Sequence, residues 1–208
     1  MMKKLRIRIE PGDVIIEMLS IVVAILLALA VNNWQEHLRQ EALLRENVEN
    51  IVHELQVNQR ALAALTTRNE AETRAFDREV VTLQHTGERM DFDGFSAFFR
   101  RTAPDGIGLL QLQDVAWSVA QSDQSLAIMP TDERIMLASV YAGQDHLRLF
   151  YRRLADTLDI PESGDWFVVL ASADVDFGDV VSTERSLLVA YGHVIPILTT
   201  RYGITSSR

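Results

Sequence analysis

Between Gly12 and Gly87 the chain contains neither proline nor glycine, and the opening part of that interval is almost wholly apolar. Val14 to Trp34 (VIIEMLSIVVAILLALAVNNW) is 21 residues long. As a helix it measures about 31 Å at ~1.5 Å per residue, against a hydrocarbon core of about 30 Å. From Met18 to Val31 no residue is charged and only Ser20 is polar. Asp13 is placed to cap the helix start, and Trp34 to anchor its far end among lipid headgroups. The spacing therefore predicts a membrane-spanning helix over 13–34, preceded by a short segment, 1–12.

Basic charge sets the expected orientation. Lys3, Lys4, Arg6 and Arg8 precede the span, whereas only Arg39 and Arg45 follow it closely. By the positive-inside rule the N-terminus is cytoplasmic and the rest lies outside, which in a double-membrane bacterium is the periplasmic side of the inner membrane. A cleavable signal peptide is the rival reading, because Ala28-Leu29-Ala30 follows a basic and then an apolar region, with processing after Ala30. Span length and the charge of Glu17 inside the would-be apolar region favour the retained anchor. A second span at Leu187 to Leu198 is too short and contains His193 and Pro196.

Steps of three and four residues from Glu17 lead to Ser20, Ala24, Ala28 and Asn32, all on one helix face. Small residues at this spacing let helices approach closely in lipid, and an asparagine can hydrogen-bond across the contact. The face is expected to be a transmembrane packing seam that supports homo-oligomer formation. Plainer roles stand beside it: Glu17 near the positive end of a helix, Asn32 and Asn33 at the boundary, alanine as filler.

Beyond Trp34, apolar residues recur at Leu38, Ala42, Val48, Val52, Leu55, Leu62 and Leu65. That period predicts one long helix leaving the membrane over 35–86. Arg45, Asn58 and Gln59 interrupt its heptads, so a strict coiled coil is not implied. Between Thr66 and Glu79 the pattern weakens, which suggests a solvated section or a bend. Residues 87–208 read as a helical bundle packed on this rod. It has an aromatic segment at Phe92 to Arg101, a turn at Pro104-Asp105-Gly106 and a short helix at Leu110 to Gln121. A helix opened by Thr131-Asp132-Glu133 carries the stripe Met136, Val140, Gly143, Leu147, Phe150, Leu154, Leu158, and Pro161 and Gly164 end it. The last helix is expected over Ser182 to Tyr202, with Leu187, Leu188, Tyr191, Val194, Ile195 and Leu198 buried and Pro196 kinking or shortening it. Trp166 to Ala171 (WFVVLA) fits strand or buried helix equally. The predicted fold is all-α.

The stretch SIVVAILLALAVNNW after Glu17, then LRQEALLRENVENIVHELQVN, resembles an uncharacterised bacterial family of single-span membrane proteins with an "LLALxVNNW" motif and a helical ectodomain. The segment AWSVAQSDQSLAIMP, with Val140, Tyr141 and Gln144 on the next helix, is similar to a second stretch of that family. Asn32-Asn33-Trp34 is the specific part. Members often have Gly where this chain has Ala24. The resemblance implies an architecture and a location, and no activity.

Composition narrows the chemistry. The net charge is −9, which argues against a nucleic-acid partner. With no cysteine, disulfides, zinc–thiolate sites and cysteine nucleophiles are excluded. His37, His53, His85, His146 and His193 form no His-x₃-His pair, and no P-loop, G-x-S-x-G elbow or dinucleotide fingerprint occurs; Gly106-Ile107-Gly108 is too short for one. Asp174 to Asp179 (DVDFGD) fails the calcium-loop pattern, with Gly178 at its fifth position and Arg185 at its twelfth, and reads as an acidic turn. Trp117 and Trp166 read as core or rim aromatics, and Arg100-Arg101 and Arg152-Arg153 as solvated edges. No catalytic, cofactor or metal residues are assigned, and an enzyme is not expected. The expected partners are the lipid bilayer, a second copy and a membrane protein. The expected role is structural or interactive (scaffold or assembly). The alternatives are an extracytoplasmic sensing or ligand-binding module that reports through a membrane partner, since 1–12 is too short for an effector domain, and an oligomeric pore lined by Glu17 and Asn32.

Overall fold

Pro11 stands in the first described turn of the longest element, where a missing N–H is tolerated. From there α1 runs unbroken from Pro11 to Thr86, 76 residues, or about 114 Å at ~1.5 Å per residue. The computed structural model describes residues 11–86, 91–104, 108–158 and 166–204. α2 (Phe92–Thr102), α3 (Val115–Ser122), a 3₁₀ turn (Ser125–Ile128), α4 (Thr131–Leu158) and α5 (Trp166–Tyr202) follow. The chain is all-α: a long N-terminal helix continues into a helical bundle, with no strand among the described residues.

Local chemistry explains the shorter elements. Asp91 caps α2 by accepting the Gly94 N–H at 2.8 Å. α4 follows Pro130 and carries Asp132 and Glu133 in its first turn, against the positive end of the helix dipole. α5 runs antiparallel to α1: Phe177 meets Phe76, Arg185 meets Glu70, and Gly203 lies near Arg45. α4 is antiparallel to α5 in turn, since Glu133 pairs with Tyr202, Tyr151 with Glu184 and Thr157 with Asp176.

The core begins at Leu44, the first buried side chain among those described on α1. Val48, Ile51, Leu55 and Leu62 from α1 meet Leu137, Leu147 and Leu154 from α4 and Leu187, Tyr191 and Leu198 from α5. At the far end Phe76 stands edge-on to Phe98, with ring centroids 4.9 Å apart, and tilts against Phe177 at 5.1 Å.

Several expectations are corrected. The weak stretch from Thr66 to Glu79 is neither bent out of the helix nor solvated: α1 continues through it, with Thr66, Asn69 and Phe76 buried. Its polar residues break the apolar pattern because they bond to neighbours in the core. Trp166 to Ala171 is helix, and α5 starts there rather than at Ser182. Gly178 does not stop it, since one glycine costs a helix only about 1 kcal/mol while Phe177 and Val180 on either side are buried. The DVDFGD stretch is therefore helical and not a turn. Pro196 does not shorten α5, which reaches Tyr202. Leu110 to Asp114 lies outside α3, whose first turn is set from α1 instead. Pro161, Gly164 and most of the Pro104-Asp105-Gly106 turn lie outside the described residues.

Phe76 is 1% exposed, so Phe76→Ala should cost ~3–5 kcal/mol. Val81, 49% exposed on the same helix, should tolerate alanine within about 0.5 kcal/mol. Denaturant unfolding of the full chain in detergent measures both.

Candidate functional site: an uncovered apolar helix and a polar ladder

From Met18 onward α1 is long and apolar enough to cross a membrane, and none of its most apolar window is buried by the rest of the chain. Leu19, Ile25, Leu27 and Leu29 are each more than half exposed. Burying a side chain of this size is worth ~1.5–3 kcal/mol, so ten of them standing in water forgo an amount comparable to the whole stability of a domain. This half of the helix needs apolar cover from outside its own fold.

The continuous helix places Ser20, Ala24, Ala28 and Asn32 along one face, all exposed, and Trp34 is 63% exposed beyond the last of the aliphatic residues. Glu17 lies in α1, but its side chain is outside the described residues. By the ~100° turn per residue this face sits roughly opposite the one that carries Leu44, Leu55 and Leu62 into the core.

Above Leu44 the same helix carries a second pattern, of buried polar residues. Asn47 donates to Asp123 Oδ2 at 2.7 Å and to Ser125 Oγ at 2.9 Å. Glu54 accepts the Ala116 N–H at 2.8 Å and the Tyr141 hydroxyl at 2.7 Å. Ala116 is in the first turn of α3, so a carboxylate from α1 caps that helix and meets its positive end. Asn58 exchanges two bonds with the backbone of Gln113, at 2.8 and 2.9 Å. Asn69 donates to the Gly108 carbonyl at 3.2 Å and to Glu184 at 2.7 Å. Read in order, positions 69, 58, 54 and 47 hold positions 108, 113, 116 and 123–125. The segment from Gly108 to Ser125 is thus strapped antiparallel down α1, one polar rung at a time. Gly108 is pressed so closely on Leu65 that a Cβ there would collide with it.

Four buried acids lock the other helices. Glu54 is 5% exposed, Glu133 1%, Asp176 2% and Glu184 0%. Glu133 takes Arg201 at 2.7 Å and Tyr202 at 2.8 Å. Asp176 takes Arg153 and Thr157, and Glu184 takes Tyr151 and Asn69. Hydrogen bonds to charged groups contribute ~1.5–3 kcal/mol each where they repay desolvation. Burial, and then the facing carboxylate, raises the hydroxyl pKa of Tyr141 and Tyr151. Burial pushes the Glu184 carboxyl up, against the lowering pull of its bonds from Tyr151 and Asn69. Burial, followed by hydrogen bonding to Asp77 and its charge, takes Asp174 up to about 6.

The DVDFGD acids therefore point to separate partners: Asp174 to Asp77, Asp176 to Arg153 and Thr157, Asp179 to Arg153. Among the described residues no three His, Asp or Glu side chains gather as a metal site. All five histidines are exposed; His37 pairs with Glu41 at 3.2 Å. Trp117 stacks on Tyr141 at 4.9 Å, and Trp166 packs on Phe95 at 4.6 Å. The predicted seam residues share one face of α1, while the ladder was not foreseen. Its only trace in the sequence is polar residues, such as Asn58, falling where the helical period calls for leucine. Comparisons with protein-family models, with curated proteins and with solved structures return no match.

Asp174 supplies a pH test. A carboxyl raised to about 6 from the usual 3.8 favours the folded state while protonated, so its contribution is present in acid and lost as pH rises through about 6. Asp174→Asn should leave stability near pH 4 almost unchanged and raise it at pH 7 by roughly 1 kcal/mol, the shift discounted for solvent screening. Melting curves of the two chains from pH 4 to 7 check this; equal differences at both ends would contradict it.

Proposed function

We propose that the chain is a single-pass inner-membrane protein of structural or interaction type. It holds a helical bundle above the bilayer on a rigid extension of its own anchor. The observation that carries this reading is the change of environment along one unbroken helix: the apolar window of α1 is uncovered by protein, and from Leu44 onward the same helix is the spine of the core. In this reading α1 crosses the inner membrane with its N-terminus in the cytoplasm, Trp34 lies at the outer headgroups, and residues 87–208 work on the extracytoplasmic side. The basic residues at 3–8 and the resemblance carried by Asn32-Asn33-Trp34 support it. So does the polar network, which immobilises side chains in pairs and fixes a shape for a partner to meet.

Anchoring and topology are tested together. The full chain should resist carbonate extraction from membranes, and a C-terminal reporter active only outside the cytoplasm should be active. Release into the soluble fraction, or activity of a cytoplasm-only reporter, would contradict the reading.

The seam of Glu17, Ser20, Ala24, Ala28 and Asn32 gives such a protein a means of pairing within the bilayer. Ala24→Leu or Ala28→Leu should weaken association, measured by energy transfer between labelled copies in vesicles, while Val22→Leu should not. Asn32→Leu should remove a further ~0.6–2 kcal/mol. Association like the parent's in all of them would make the small residues filler.

A second reading, an extracytoplasmic ligand-binding module, is favoured by one feature. A cleft of roughly 380 Å³ between α3 and α4 is lined by Asp114, the stacked Trp117 and Tyr141, and Gln144. Mass spectrometry of small molecules released on denaturing the purified protein distinguishes it: a stoichiometric compound favours this reading, and none favours the scaffold.

A further inference from the structure

A buried side chain with two polar atoms and a partner for neither needs a reason to be there. In this core an idle atom usually has a bonded neighbour on the same side chain. Asn69 has an idle oxygen but donates to Glu184, and Glu184 has an idle oxygen but accepts from Tyr151. Gln144 on α4 differs. It is 2% exposed, and neither its amide oxygen nor its amide nitrogen meets a hydrogen-bond partner among the described residues. The Tyr191 hydroxyl faces it from α5 and likewise forms no hydrogen bond of ordinary geometry. An unmatched buried amide is a net loss to folding, and leucine or methionine would fill the same space without it.

Gln144 lines the cleft between α3 and α4, whose volume of roughly 380 Å³ lies at the lower end for small-molecule sites. On one wall Trp117 lies flat against Tyr141, with 8° between the ring planes. On the other, Ala138 and Ala142 are short and exposed. The surroundings carry an excess of negative charge. Asp114 and Asp145 both line the cleft and share a single guanidinium, that of Arg148, at 3.3 and 2.8 Å. A third carboxylate, Glu54, stands behind the wall and accepts the Tyr141 hydroxyl. Burial, and then the charges of Glu54 and Asp114, raise the pKa of that hydroxyl, so the field of both acids is felt at the cleft wall.

We propose that this cleft binds a small organic cation, an alkylammonium whose N–H groups reach the Asp114 carboxylate and the carbonyl end of the Gln144 amide. Its carbon stem lies along Ala138 and Ala142, beside the Trp117 indole. An ammonium brings donors to an amide oxygen that has none, and it answers the excess of carboxylates over guanidinium with a charge-assisted bond. A carboxylate or phosphate ligand would meet like charge at Asp114 and Asp145. A neutral alcohol would leave that charge unanswered. The aromatic and alanine walls give the stem apolar cover, as small-molecule sites do around a few fixed polar groups. The proposal rests on the ligand-binding reading of this cleft and is independent of the anchoring.

The chain has three tryptophans, Trp34, Trp117 and Trp166. With Trp34→Phe and Trp166→Phe in place, the fluorescence of the full chain in detergent reports on Trp117 alone. n-Butylammonium chloride should change it saturably in the millimolar range, whereas n-butanol and sodium butyrate at the same concentrations should not; the butyrate salt also controls for ionic strength. Asp114→Asn and Gln144→Met should each weaken the amine about tenfold or more, the loss of one hydrogen bond in which a charged group takes part. Gln144→Met should also raise the melting temperature of the chain without amine, because it removes an unmatched amide at similar volume. A lower melting temperature with unchanged amine affinity makes the amide structural and overturns the proposal. An equal response to butanol or butyrate, or a stoichiometric neutral or anionic compound among the molecules released on denaturation, overturns the cation and leaves the ligand-binding reading standing. No response to any of the three, with no compound released, overturns both.

Discussion

The hydrogen-bond ladder of α1 is the constraint on which the rest depends. Each backbone carbonyl before the last turn accepts the N–H four residues on, so an apolar segment at one end and a packed core at the other are joined by a single rigid body. The helix keeps its phase through the intervening residues, which fixes the side of the rod on which the bundle is built. A proline or a pair of glycines anywhere from residue 35 to residue 43 would uncouple the two, and the sequence has none there.

The bundle is held to this rod by two kinds of interaction with different consequences. Apolar packing of Val48, Ile51, Leu55 and Leu62 supplies most of the cohesion but specifies register weakly. The amide and carboxylate rungs specify register strongly, because each leaves a buried polar group unmatched if the strap from Gly108 to Ser125 slips. Glu54 shows the economy of the arrangement. One carboxylate starts α3 through Ala116, orients Tyr141 of α4 and so places the indole of Trp117, which stacks on that tyrosine. Glu133, Asp176 and Glu184 repeat the device between α4 and α5, so that three of the four tyrosines in the chain are tied to buried acids.

Much of the fold was legible because it follows from period and from helix breakers. The interval free of Pro and Gly, the apolar period past Trp34, and the Pro130-Thr131 start of α4 each have one physical meaning, and the structure has it. The misreadings share a cause. Asn58, Thr66 and Asn69 look like surface residues in sequence, since nothing local shows that Gln113, Gly108 and Glu184 will come to meet them. Gly178 and the acids around it look like a turn until Arg153, Thr157 and Asp77 are there to receive them. Polar groups in a core are recognisable only through partners distant in sequence, whereas apolar groups are recognisable by period alone. The small-residue face of α1 was readable in the same local way, since it needs only a helix to exist.

A bundle held out on its own anchor requires α1 to be one rigid helix from the apolar segment into the core. The most direct measurement is the distance between spin labels on Leu27 and Arg60 of the full chain in bilayer discs, diluted with unlabelled protein. Both positions are exposed. A continuous helix predicts one narrow distribution near 50 Å, from ~1.5 Å per residue. A broad distribution, or one centred well below that distance, would mean that the helix bends or breaks between the apolar segment and the bundle, and would contradict a rigid α1.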